Sequence, residues 1–418
     1  MTATDRSSSR GAVRSRLWPG VLVGLVIVVL VAGLLVWRAR DDTYVVPAAG
    51  RSAERPAAEQ PTAAAAALAA WGRSIADHRP GEAPGSAART AAENADRLRV
   101  QHFSARYLAV DGAVAADGSW TADVALTWRF AGFDTADASE EVGVTFAPSD
   151  SGDGVEITRF GGGGARLPVW LSGPVQVRRT GETMVVLAGS DAAAGQRADR
   201  FDALAVRAVA TVRRVLPWPH PALVLEVPAD QAGLEQMMGA ETDSFHGVAA
   251  VTATVDGSAS GPVHVLVNPQ VIGGLNTEGA QIVLSHEAVH AATFAADAAV
   301  PSWLLEGFAD YVALRDVRLP LSTTARQIIA EVRADGVPHR LPGAAEFNDQ
   351  SETFGAEYEA AWLACRLLAR IAGEPALVRV YDDVRDGAAI DAALRRETGL
   401  SVAAFTARWR QELTELAR

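Results

Sequence analysis

PVHVLVNPQVIGGLNTEGAQIVLSHEAVHAATF, residues 262–294, changes its period part-way along. PVHVLVN (262–268) is a short apolar run of strand type, whereas helical patterns dominate from Thr277 to the end of the chain. Upstream, TMVVLAG (183–189), ALVLEVP (222–228) and GVAAVTATV (247–255) read as further strands. An amphipathic helix over 197–216 and a short one near 231–238 fall between them. Strands followed by a run of helices define an α+β fold class, with residues 277 onward forming the helical part.

A second strand-rich region lies nearer the N-terminus. In SWTADVALTWRF (119–130) the residues Trp120, Ala122, Val124, Leu126, Trp128 and Phe130 alternate with Thr121, Asp123, Thr127 and Arg129, the signature of a half-buried antiparallel strand. EEVGVTFAP and GVEITRF repeat the pattern through Val142, Val144, Phe146, Val155 and Ile157. Helices are predicted before them, over 63–75 and 87–98. Helices followed by a curved antiparallel sheet resemble, over roughly residues 60–172 and in element order alone, the cone of nuclear-transport-factor-like domains. The expected organisation is a cone-like α+β domain over 62–175 and a second domain over 180–418; such a cone can hold a small ligand, and the favoured alternative is a spacer or docking module with a filled core.

The 418 residues carry 38 Lys+Arg, all of them Arg, against 50 Asp+Glu, for a net charge of -12. No phosphate-tracking basic face is available, which excludes a nucleic-acid partner. VLVGLVIVVLVAGLLVW (21–37), extended back to Leu17, is uncharged and long enough to cross about 30 Å of hydrocarbon. A cleaved leader would have a shorter apolar core followed directly by small residues, whereas here WRARDD follows. The reading is a transmembrane signal anchor over 17–37, a cytoplasmic tail over 1–16 and a linker over 38–61. The excess of Arg before the segment makes the cell membrane a partner and the rest of the chain extracytoplasmic. The single cysteine, Cys365, lies in an apolar helical pattern and reads as an inert buried thiol.

Two of the eight histidines, His286 and His290, stand four positions apart on the predicted helix, so both imidazoles project from one face. Glu287 follows the first. In an H-E-x-x-H helix that carboxylate sits beside the metal's open coordination position and works as a base. The competing reading is an amphipathic helix that happens to bear two imidazoles. A catalytic zinc needs a third protein ligand. PSWLLEGFADYV (301–312) offers Glu306, on a second helix with Ser302 as its expected N-cap. Asp310, one turn on, can accept the free ring N–H of a ligating histidine.

HEAVH followed by EGFAD resembles the gluzincin pattern, H-E-x-x-H then E-x-x-x-D, of thermolysin-like zinc peptidases. The flanking PSWLLEGFADY is similar to bacterial peptidase-MA-like domains. The resemblance covers roughly 180–418 and implies a thermolysin-like α+β catalytic domain with a helical C-terminal part. It implies Zn²⁺ held by His286, His290 and Glu306, with Glu287 as general base and Asp310 behind the ligands. A peptide or protein would be the substrate. Related enzymes steady the tetrahedral oxyanion with a Tyr or His beyond the third ligand; Tyr358 is the first candidate here and His339 the second. Tyr311 reads as a packing residue. His220, His246, His264 and His339 have no ligand-like spacing and read as surface or strand histidines; a substrate-side role is the lesser alternative for His264, on a strand before the site helix. The expected function is a membrane-anchored, extracytoplasmic metallopeptidase. The alternatives are an inactive tethered binding protein and a zinc amidase acting on a non-peptide envelope amide.

Overall fold

The computed structural model describes residues 59–418 apart from 150, 151, 153, 163, 164, 295–298 and 348–353. Helices α1 (Pro61–Ala76) and α2 (Ser86–Leu98) precede a four-stranded antiparallel meander. Its strands β1 (Val100–Asp111), β2 (Trp120–Phe130), β3 (Ala138–Pro148) and β4 (Val155–Phe160) pair in chain order. Strand β2 alternates buried and part-buried residues along its whole length, as its sequence predicts. The sequence pattern missed β1, because register irregularities at 101/104 and 107/109 break its alternation.

A five-stranded mixed sheet follows, built from β5 (Val175–Arg179), β6 (Thr183–Ala188), β7 (Leu223–Val227), β8 (Ala250–Thr254) and β9 (Val263–Val267). Its order is β5-β6-β7-β9-β8; β6, β7 and β9 run parallel while β5 and β8 flank them antiparallel. Helix α3 (Ala192–Val212) starts five residues before the periodicity predicts, because Asp191 caps it by accepting from the Ala194 N–H. Short helices α4 (Gln231–Met238) and α5 (Pro269–Gly274) lead to the helical part. That part comprises α6 (Thr277–Thr293), α7 (Ser302–Ala313), α8 (Leu321–Thr324), α9 (Arg326–Asp335), α10 (Ala344–Phe347), α11 (Phe354–Ala372), α12 (Glu374–Arg385), α13 (Ile390–Thr398) and α14 (Val402–Leu416).

Alternate residues of the five-stranded sheet feed two different cores. Val185, Leu187, Leu223, Leu225, Val265 and Val267 pack with the helical part. Met184, Val186, Val224 and Leu266 pack with α1, α2 and the meander. Burial on both faces explains why β6 and β7 read as continuous apolar runs rather than alternations. The segments on either side of residue 175 therefore share a core. The interior under the meander is filled: Trp71 meets Phe103, Phe160 and Trp170 at ring-centroid distances of 4.6, 5.0 and 6.4 Å. The space beside Trp128 and Trp170 amounts to only about 10 Å³, too little for an organic ligand. Buried Asn94 ties α2 to this core, donating to the Trp170 and Gly173 carbonyls at 2.8 and 2.7 Å.

The membrane expectation is corrected here. No helix among the described residues is long and apolar enough to cross a bilayer, and the anchor expected over 17–37 lies outside the described residues. The longest helices are unsuited to hydrocarbon: α3, with 21 residues, carries Arg197, Asp199, Arg200, Asp202 and Arg207, and α11 carries Glu357, Glu359, Arg366 and Arg370. The fold is α+β, with no membrane-spanning helix among the described residues. The single-pass localisation is withdrawn.

Candidate metal centre

Helix α6 is capped by Asn276, whose side chain accepts from the Gly279 N–H, and is followed by Phe294 in the left-handed conformation. It is packed on several sides rather than along one stripe. Leu284, Ala288 and Val289 are fully buried, and His286 and Glu287 are only 9% and 8% exposed. A surface helix with incidental imidazoles is thereby excluded, because these polar groups have left water and need partners.

The partners come from α7, which crosses α6. Its first residue is Ser302; the cap position falls on Pro301, and no side chain caps the helix, contrary to the Ser302 cap expected from the sequence. Glu306 Oε2 lies 3.1 Å from His286 Nε2 and 3.5 Å from His290 Nε2, and the two Nε2 atoms are 3.1 Å apart. Metal–ligand bonds of about 2.0–2.1 Å at tetrahedral angles put donor atoms about 3.3–3.4 Å apart. The three donors stand close to that separation, and they can hold a metal ion. Asp310, one turn beyond Glu306, accepts from His286 Nδ1 at 2.7 Å, which leaves the Nε2 lone pair facing the triad.

Electrostatics point the same way. Burial pushes the His286 imidazole down, but the Asp310 and Glu306 carboxylates outweigh it and hold the ring well above the usual histidine range. Burial likewise pushes Glu306 up, and the two imidazoles more than reverse that, keeping its carboxyl far below the usual range. Without a cation the cluster recruits a proton in its place.

The Glu287 carboxylate reaches edge strand β8. Thr252 Oγ1 donates to Glu287 Oε2 at 2.7 Å, with the Glu287 backbone carbonyl at 3.0 Å as an alternative acceptor. The sequence analysis overlooked Thr252, since a threonine in a strand carries no signal beyond β-propensity. Val248, Ala250, Val283, His286, Glu287, Asp310 and Tyr358 line a cleft of about 310 Å³. The Tyr358 ring is 6.0 Å from that of His286. Burial, reinforced by the carboxylates of Glu306, Asp310 and Glu287, pushes its phenol far above the ordinary tyrosine range and keeps it a donor.

Other sequence candidates lie elsewhere. His339 is exposed and lines a separate cleft with Glu331 and Leu341. His220 and His246 are exposed, and Tyr311 turns from the triad to donate to Glu374 at 2.9 Å. Cys365 is fully buried, with its thiol pushed up by burial. His264 does not face the cleft; with Leu266 it points to the meander side of the sheet, between Glu226 and Asp134.

Gly307, inside the EGFAD stretch, sets how closely α7 meets α11. A Cβ there would stand 2.3 Å from the Ala361 carbonyl oxygen and 3.0 Å from Cys365 Sγ. Gly307→Ala is expected to force the helices apart and cost about 1–3 kcal/mol in denaturant unfolding. A variant as stable as the unaltered chain would show that the helices have slack. No protein-family model matches the chain, and no curated protein matches it.

Proposed function

We propose that the chain is a zinc-dependent hydrolase of peptide bonds. The observation that carries this reading is that Glu287, bonded to Thr252 of an edge strand, lines the same cleft as His286 of the triad. Two imidazoles and one carboxylate suit zinc, and three protein ligands leave a coordination position open for chemistry. When bound, zinc supplies Lewis-acid activation of a carbonyl and of water. Glu287 takes the proton from the attacking water and returns it to the leaving amine. Thr252 holds that carboxylate in one orientation, and Asp310 holds His286 in the tautomer that offers Nε2. Tyr358, kept protonated, donates to the oxyanion that develops on the scissile carbonyl.

Strand β8 supports a peptide as substrate. It pairs with β9 on one side only, and an extended chain can add to its other edge through main-chain hydrogen bonds. A catalytically dead binding module is less well supported, because a base held by its own hydrogen bond serves no purpose there.

Removal and return of the metal test the proposal. Purified protein is expected to carry stoichiometric zinc, to lose hydrolysis of a quenched fluorescent peptide library after dialysis against dipicolinate, and to regain it with zinc. Hydrolysis that persists in metal-free protein would overturn the reading, as would a folded chain that retains no metal.

A further inference from the structure

Helices α7, α8 and α11 enclose a cleft of about 490 Å³ that the reaction proposed above does not use. Arg366 lines it, two turns or about 12 Å along α11 from Tyr358. Its guanidinium lies over the Trp362 ring at 5.5 Å, and its Nη1 is buried with no acceptor among the described residues. A buried charged donor without an acceptor is costly.

The surrounding charges define what is missing. Arg315 is neutralised by Glu374 at 3.0 Å and Arg370 by Glu412 at 2.5 Å. Among the described residues Arg366 has no such partner, which leaves its positive charge in the cleft uncompensated. Apart from Tyr311 and Thr324, the remaining wall is apolar, through Leu314, Val317, Leu321 and Leu319, the last 47% exposed. From this geometry we infer a second binding site, one that takes a small monoanionic carboxylate carrying an apolar tail. The carboxylate pairs with the edge of the Arg366 guanidinium that lines the cleft, Nη1 itself being shut off from it, while the tail lies against Trp362 and the leucines. A dianion would leave surplus negative charge, and a cleft of this volume suits a small organic molecule.

Isothermal titration of the full-length chain with 4-phenylbutanoate and its neutral amide, 4-phenylbutanamide, tests the inference. The carboxylate is expected to bind saturably and at least tenfold more tightly than the amide, and Arg366→Gln is expected to erase that preference. Equal affinity for both compounds, binding of neither, or a preference that survives Arg366→Gln would overturn it. Arg366→Met keeps an apolar side chain over Trp362 and removes the orphan donor. Its unfolding midpoint without ligand should equal or exceed that of the unaltered chain, and the carboxylate should no longer raise it. A lower midpoint for Arg366→Met would show that the guanidinium is already satisfied within the fold, and the site would fall with it.

Discussion

A Glu287→Gln protein is expected to hold zinc as the unaltered chain does and yet to cleave peptides about 10²–10⁴-fold more slowly, the range that a positioned general base contributes. The amide preserves the side chain's shape and can still accept from Thr252, so the fold and the triad have no reason to change. What it lacks is the capacity to take a proton. The loss should therefore appear in kcat, with KM little altered, because Glu287 acts on the water rather than on substrate affinity. His290→Ala should fail differently: with two of three donors left, zinc itself is lost, and hydrolysis falls because no metal is present. Metal analysis and steady-state kinetics on the two proteins separate these outcomes. Full activity in Glu287→Gln would place the base elsewhere, and retained zinc in His290→Ala would break up the proposed ligand set.

How much of this could be read beforehand depended on whether one element's geometry fixed the relation. The i,i+4 spacing of His286 and His290 is set by a single helix, and Glu306 and Asp310 share the next one, so the local pattern was enough to propose all four. The structure then brings the two helices together with the donors 3.1–3.5 Å apart. Thr252 meets Glu287 across 35 residues of chain, and no spacing rule reaches that far. Strand β2 was legible because one of its faces is dry, whereas the bulges of β1 hid it. Gly307 was visible as a letter in a motif, but its reason, the Ala361 carbonyl on another helix, was not.

The least legible feature carries the second large effect. His264 is buried at 1% side-chain exposure between Glu226, 2.6 Å from Nδ1, and Asp134, 2.9 Å from Nε2; the carboxylates are 4% and 2% exposed. Phe130 stacks on the ring at 5.5 Å. Glu226 lies 38 residues away in sequence and Asp134 lies 130 away, so the cluster joins the five-stranded sheet to the turn after β2 with no local trace. Burial pushes this imidazole down, but the two carboxylates outweigh it and raise it to about 10 from the ordinary 6.5. Because the folded value lies above the unfolded one, the cluster's contribution to stability is complete below about pH 6.5 and is lost as pH rises through about 10. His264→Gln should cost about 3–5 kcal/mol near neutrality, since it strands two buried carboxylates without their cation. Denaturant titrations from acid to alkaline pH should show the gap between the two proteins narrowing above neutrality. A constant gap would mean that His264 is neutral in the fold and that its value lies in packing alone. If stranded charge is the cause, adding Asp134→Asn to His264→Gln should recover part of the loss, because it removes one of the two negative charges left without a partner. A double variant weaker than His264→Gln would instead assign the cost to lost hydrogen bonds, including the one Asp134 accepts from the Phe130 N–H at 2.7 Å.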